Sequence, residues 1–156
     1  MPHEDRSADV RPISVIQARQ LRHVILRPHQ KPEELVFRGD EAPDALHVGA
    51  FVNGKLVGIA SVAREQFPDE PQLDAWRLRG MATLPEARRA GYGTALVQAL
   101  IAHVSSCGGN LIWCHGRASA LPFYLALGFR EHGVEFDVPI TGPHYVLRRE
   151  VLPSER

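Results

Sequence analysis

The segment "RRAGYG", Arg88 to Gly93, sets two arginines and two glycines between an extended stretch and an apolar stretch of helical period. A helix start leaves its first backbone N–H groups without intrahelical acceptors, and the helix dipole places about half a positive charge there. Gly91 and Gly93 carry no Cβ, so a bulky anion can approach the main chain closely. Arg88 and Arg89 add fixed positive charge without a metal. The combination suits a pyrophosphate; the alternative is a glycine-rich turn with no ligand. Two familiar phosphate motifs are excluded. A P-loop needs Gly-Lys-Ser/Thr, whereas Gly93 is followed by Thr94 and Ala95. A dinucleotide fingerprint needs a third glycine where Leu96 stands.

Other reactive residue types are scattered. The eight histidines show no His-x-x-x-His pair on a helix and no nearby cysteine partner, so no metal site is expected. Cys107 and Cys114 form neither a CxxC pair nor a disulfide framework, which points to a reducing, cytoplasmic setting. The 18 basic and 18 acidic side chains cancel, so no global field favours nucleic acid or an anionic membrane, and any anion site must be local. Neither a signal peptide nor a membrane-spanning apolar run is expected.

The elements that must position these residues can be read in order. Ser14 is placed to cap a helix over "VIQARQLRHVIL", with Ile16, Leu21, Val24 and Ile25 on one side. A Pro- and charge-rich loop follows, with one helical turn at "PEEL". "HVGAFV" and "KLVGIASVAR" flank Asn53-Gly54, the strongest short-range hairpin signal. In "LDAWRLRGMATL", Trp76 and Leu78 alternate with Arg77 and Arg79, giving one greasy and one charged strand face. From Tyr92 the period becomes helical through Leu96, Val97, Leu100, Ile101 and Val104, until Gly108-Gly109 stop it. "NLIWCH" reads as a buried central strand. "SALPFYLALGF" reads as a helix that Ser119 could cap, and a last hairpin is expected to turn at Thr141-Gly142-Pro143. This order predicts a mixed α/β protein with a mostly antiparallel, twisted sheet of six to seven strands and helices on both faces. Residues 1–9 are expected to be a tail, 10–152 one domain, and 153–156 a second tail.

Arg88, Gly91 and Gly93 match Q/R-x-x-G-x-G/A, between a strand and a helix, and "MATLPEARRAGYGTAL" and "ASALPFYLALGF" follow as two blocks about 30 residues apart. In these the sequence resembles the GCN5-related N-acetyltransferases over about residues 10 to 151. It is most similar to small predicted acetyltransferases ending in a "G-I/T-G-P-H" turn, seen here in "ITGPHYVLRR". The resemblance implies an acetyl-CoA-dependent N-acetyltransferase acting on a primary amine within a ternary complex. The alternative is a non-catalytic CoA-binding sensor. Homodimers are common in the family resembled.

The resemblance also assigns roles. Amides of Arg89, Ala90, Gly91, Tyr92, Gly93 and Thr94, with Arg88, would hold the pyrophosphate. Met81, Ala82 and Thr83 would offer backbone groups to pantetheine beside a bulge at Gly80. Tyr124 would protonate the leaving thiolate. Arg117 stands where many relatives have asparagine, though an arginine could still reach a phosphate. For the base that deprotonates the amine, His144 ranks first, ahead of His115, Glu65 and Asp74. The acceptor amine is not written in these residues.

Overall fold

A computed structural model describes residues 9–26, 28–88 and 90–155. Its strands are β1 (Asp9–Pro12), β2 (Leu46–Val52), β3 (Lys55–Arg64), β4 (Ala75–Thr83), β5 (Leu111–Arg117), β6 (Arg130–Glu131), β7 (Phe136–Val138) and β8 (Gly142–Glu150). They form an eight-stranded sheet in the order β1-β2-β3-β4-β5-β8-β6, with β7 paired to β8. Three α-helices complete the set: α1 (Val15–Ile25), α2 (Tyr92–Ser106) and α3 (Leu121–Ala126). The chain forms two compact units. One holds the residues up to Ala63 together with Gly80–Leu100, the other Arg64–Arg79 with Ile101–Arg156.

In the first unit β1 pairs antiparallel with β2, and β2 with β3. Asn53 and Gly54 both take positive φ, 50° and 79°, as a tight two-residue hairpin requires. Ser14 caps α1 through a reciprocal pair: its hydroxyl accepts from the Gln17 amide, and the Gln17 side chain accepts from the Ser14 amide. The buried face of α1 corrects the expected one. Ile16 and Val24 are exposed, whereas Ala18 and Arg22 are buried. The cause is an ion pair. Arg22 donates to both carboxylate oxygens of Asp40, at 2.7 and 3.0 Å, and also to the Leu35 carbonyl and the Ser61 hydroxyl. That demand turns the helix so that Arg22, with Ala18 one turn before it, faces inward. Burial pushes the Asp40 carboxyl up, but the Arg22 hydrogen bond, the Phe37 amide and the nearby charges outweigh it and hold the group below its ordinary value.

In the second unit β4 runs parallel to β5 from Ala75 to Arg77, and β5 runs antiparallel to β8 along its whole length. Trp113 anchors the packing. Its ring meets Phe67 edge-on at 5.4 Å, its indole N–H donates to the Glu65 carbonyl, and Ala75 and Leu111 close around it. From Leu111 to Cys114 the strand is buried on both faces, as its continuous apolar run indicates. Along α2, Leu96, Val97, Leu100, Ile101 and Val104 are all buried. The helix ends where the Gly108 and Gly109 amides turn back to the carbonyls of Ser105 and Val104. Two local expectations need correction. Ser119 does not cap α3, because a 3-10 turn over Ala118–Ala120 moves the N-cap to Ala120, one residue beyond it. Gly142 and Pro143 lie within β8, so the last hairpin turns at Pro139–Thr141, where Ile140 takes φ 71°.

Candidate active site

The phosphate-type loop lies in the first unit. β4 delivers Met81, Ala82 and Thr83, and the Leu84 amide then bonds the Val57 carbonyl at 2.8 Å. A 3-10 turn over Pro85–Ala87 reverses the chain, and Arg88 Nε donates back to the Thr83 carbonyl at 3.3 Å. Arg89 lies outside the described residues. Gly91 takes φ +85°, and a Cβ built on it would meet no atom within 4 Å, so the space beside its backbone is open. The first backbone bond of α2 runs from the Ala95 amide to the Gly91 carbonyl at 3.2 Å. The amides of Tyr92, Gly93 and Thr94 therefore precede the ladder, and no acidic side chain stands in the first turn to neutralise them. Tyr92 buries its ring, so its backbone is what the loop can offer. The open space beside Gly91 and the amides that follow it are what an anion site of this kind requires.

Gly80, just before these residues, sits at φ +63°, the left-handed conformation of a bulge glycine. A Cβ there would come within 2.7 Å of Arg22 Nε and 3.1 Å of the Phe37 ring. Both backbone angle and space demand glycine. The buried Arg22–Asp40 pair thus reaches the strand that leads to the loop, a link that the apolar period of α1 conceals.

The titratable candidates lie in the second unit. Tyr124 on α3 is buried, its ring edge-on to Phe123 and Phe129, and its hydroxyl is hydrogen-bonded to Cys114. Burial, then the charge and hydrogen bond of Cys114, raise its pKa well above the ordinary phenol value. The Cys114 thiol is itself pushed up by burial to about 12, so it is no nucleophile at neutral pH. Gly116 makes room for the tyrosine, since a Cβ there would sit 3.1 Å from its ring.

His144 is buried on β8, directly opposite Arg117 of β5. Its Nδ1 lies 2.8 Å from the Gly142 carbonyl, which can only accept, so Nδ1 carries the proton and a neutral ring keeps its lone pair on Nε2. His115 is the reverse. Arg77 donates to its Nδ1 at 3.3 Å, leaving Nε2 protonated in the neutral ring. Burial, followed by Arg77 and Arg79, lowers its pKa. Glu65 accepts from Arg77 at 2.9 Å and lies 3.8 Å from Arg79, while Asp74 is paired with Arg64. Of the four base candidates, His144 alone combines burial with an acceptor nitrogen that has no partner among the described residues. Sequence reasoning missed the Tyr124–Cys114 and Arg77–His115 contacts; strand alternation placed each residue on a face, but the partner across the sheet depends on register.

The chain matches the Acetyltransferase (GNAT) family over residues 14–129 and belongs to it. It is 36% identical over 146 residues to the uncharacterized N-acetyltransferase YitI of Bacillus subtilis (strain 168), covering 94% of this chain and 98% of that protein. It is 30% identical over 113 residues to the ribosomal protein bS18-alanine N-acetyltransferase of Escherichia coli (strain K12), 70% of this chain and 72% of that one. Its fold is similar to a phosphinothricin acetyltransferase from Sinorhizobium meliloti in complex with AcCoA, with a TM-score of 0.73 at 18% identity, over 93% of this chain and 89% of the other. The protein is an acetyltransferase of mixed α/β fold.

Proposed function

We propose that the chain transfers an acetyl group from acetyl-CoA to a primary amine by direct attack within a ternary complex. The observation that carries this reading is the opening of α2: a positive-φ glycine beside open space, followed by amides with no acidic side chain in the helix's first turn. Amides of Ala90 to Thr94, with Arg88 and Arg89, would hold the pyrophosphate, and Met81, Ala82 and Thr83 would offer backbone groups to the pantetheine arm. The amine nitrogen, once neutral, attacks the thioester carbonyl; the C–N bond forms and the C–S bond breaks. His144 Nε2 takes the proton lost by the amine. Tyr124, whose raised pKa keeps its proton in place, gives that proton to the departing thiolate.

Replacement of Tyr124 by phenylalanine is expected to lower kcat by about 10²–10⁴-fold while CoA affinity, measured by calorimetry, stays unchanged. Unaltered turnover would remove Tyr124 from the mechanism. A second reading, a CoA-binding module without catalysis, draws on the burial of the Tyr124 hydroxyl against Cys114. A free-thiol assay over a panel of amines separates the two: release of CoA excludes the passive module.

A further inference from the structure

Residues directly opposed in a sheet share a face, and alternate residues along a strand return to it. Arg77 is opposite Trp113, His115 is two residues beyond Trp113, and Arg117 is opposite His144. One face of the second unit therefore gathers Arg77, Arg79, Arg117, His115 and His144. Glu65 reaches the first two arginines. Phe136, opposite His144 in the β7–β8 pair, adds an apolar wall, its ring 5.2 Å from His115 and 5.9 Å from His144.

The charges on this face do not balance. Arg148, opposite Trp113 on the same face, is paired with Glu70, and Glu150 stands at the far end opposite Leu111, so Glu65 is left as the carboxylate set against Arg77, Arg79 and Arg117. Arg77 is already committed, stacked on Trp113 at 4.7 Å and donating to Glu65 and His115, and its Nε is buried with no acceptor among the described residues. Arg117 is different: its side chain is exposed and makes no hydrogen bond or ion pair among the described residues. The pKa of His115 is lowered by burial first, with Arg77 and Arg79 adding to it, which agrees in sign with the positive charge of the face. A polycationic acceptor would be repelled here, whereas an anionic group would find a planar fork of donors.

We infer that the acceptor is a small amine carrying a carboxylate, which Arg117 binds while His144, its cross-strand neighbour, faces the amine. Opposed residues in a sheet have Cβ atoms about 5 Å apart, so Arg117 and His144 stand side by side on one face and a single small ligand can meet both side chains. Anchored this way, the carboxylate offsets the excess positive charge of the face. This rests on the acetyl-transfer reading above, with His144 as base.

The test uses amino acids and their matched carboxamides as acceptors, with acetyl-CoA and a free-thiol readout. The carboxylates are expected to show kcat/KM about tenfold to a hundredfold higher, the scale of a charge-assisted hydrogen bond. Arg117→Gln should raise their KM to that of the carboxamides and leave acetyl-CoA affinity unchanged by calorimetry. Equal use of carboxamides, preference for spermidine, or lost CoA affinity in Arg117→Gln would each overturn the inference, the last by assigning Arg117 to a cofactor phosphate. A binding arm needs no turnover: N-acetylalanine and its carboxamide are titrated into the CoA-loaded protein. Tighter binding of the acid supports the carboxylate site even where no amine is acetylated, a result that would itself defeat the enzyme reading. Indistinguishable titrations, including two blanks, overturn the site while acetyl transfer stands or falls on the thiol assay.

Discussion

His115 and Tyr124 obey one rule with opposite signs. Burial disfavours the charged form of each, lowering the pKa of the imidazole and raising that of the phenol, so both rings are held neutral. For His115 this has a consequence for stability. The unfolded chain takes up the proton near pH ~6.5, while the folded chain resists it until a lower pH. The unfolded state therefore binds more protons below that point, and stability falls as the pH drops from ~6.5 towards the folded value. Urea denaturation between pH 5 and 7.5 should show a shallower loss in His115→Gln than in the wild type; identical slopes would mean that the residue titrates alike in both states. At this scale the sequence was informative about residues and silent about partners. Tyr124 and His144 stand out from the "FY" and "GPH" motifs. That Cys114 meets the tyrosine, or that Arg117 faces His144, depends on β5–β8 register and on how α3 packs, which no periodicity encodes.

Among the elements, β4 is the most constrained. Gly80 interrupts it at φ +63°, with Arg22 and Phe37 filling the space a side chain would need. Gly80→Ala combines a left-handed strain with displacement of a buried ion pair, and is expected to cost about 2–4 kcal/mol. A denaturant midpoint giving less than about 0.5 kcal/mol, the range of an unremarkable surface change, would show that the strand relaxes freely. An isolated glycine in a strand pattern announced a special backbone position, so that much was legible. The inward face of α1 was not. Its apolar residues suggested Ile16 and Val24, but a helix turns to satisfy its most demanding buried group, and here that is Arg22 on Asp40. Hairpin chemistry fared differently at the two turns. Asn53-Gly54 fits the positive φ of a two-residue loop without strain, whereas the second turn places β-branched Ile140 at φ 71°, a choice no turn preference would select.

Across the whole molecule, basic and acidic side chains cancel, yet positive charge gathers by local means, as two places among the described residues illustrate. One is the helix start after Ala90, where backbone dipoles supply it; the other is the strand face around Arg117, where guanidiniums do. Bulk charge could not reveal either, while the alternation of strand and helix patterns was enough to define the fold class. The account stands on the first of these places, and calorimetric titration of acetyl-CoA into the wild type and into Gly91→Val tests it most directly. A β-branched side chain at φ +85° must both strain the loop and fill the open space beside it. The account predicts saturable binding to the wild type at Kd below ~1 mM, the upper range of enzyme KM values. It also predicts no measurable binding to a Gly91→Val variant that is still folded by circular dichroism. Undiminished affinity in that variant, or a wild type that ignores acetyl-CoA at millimolar concentration, would contradict it.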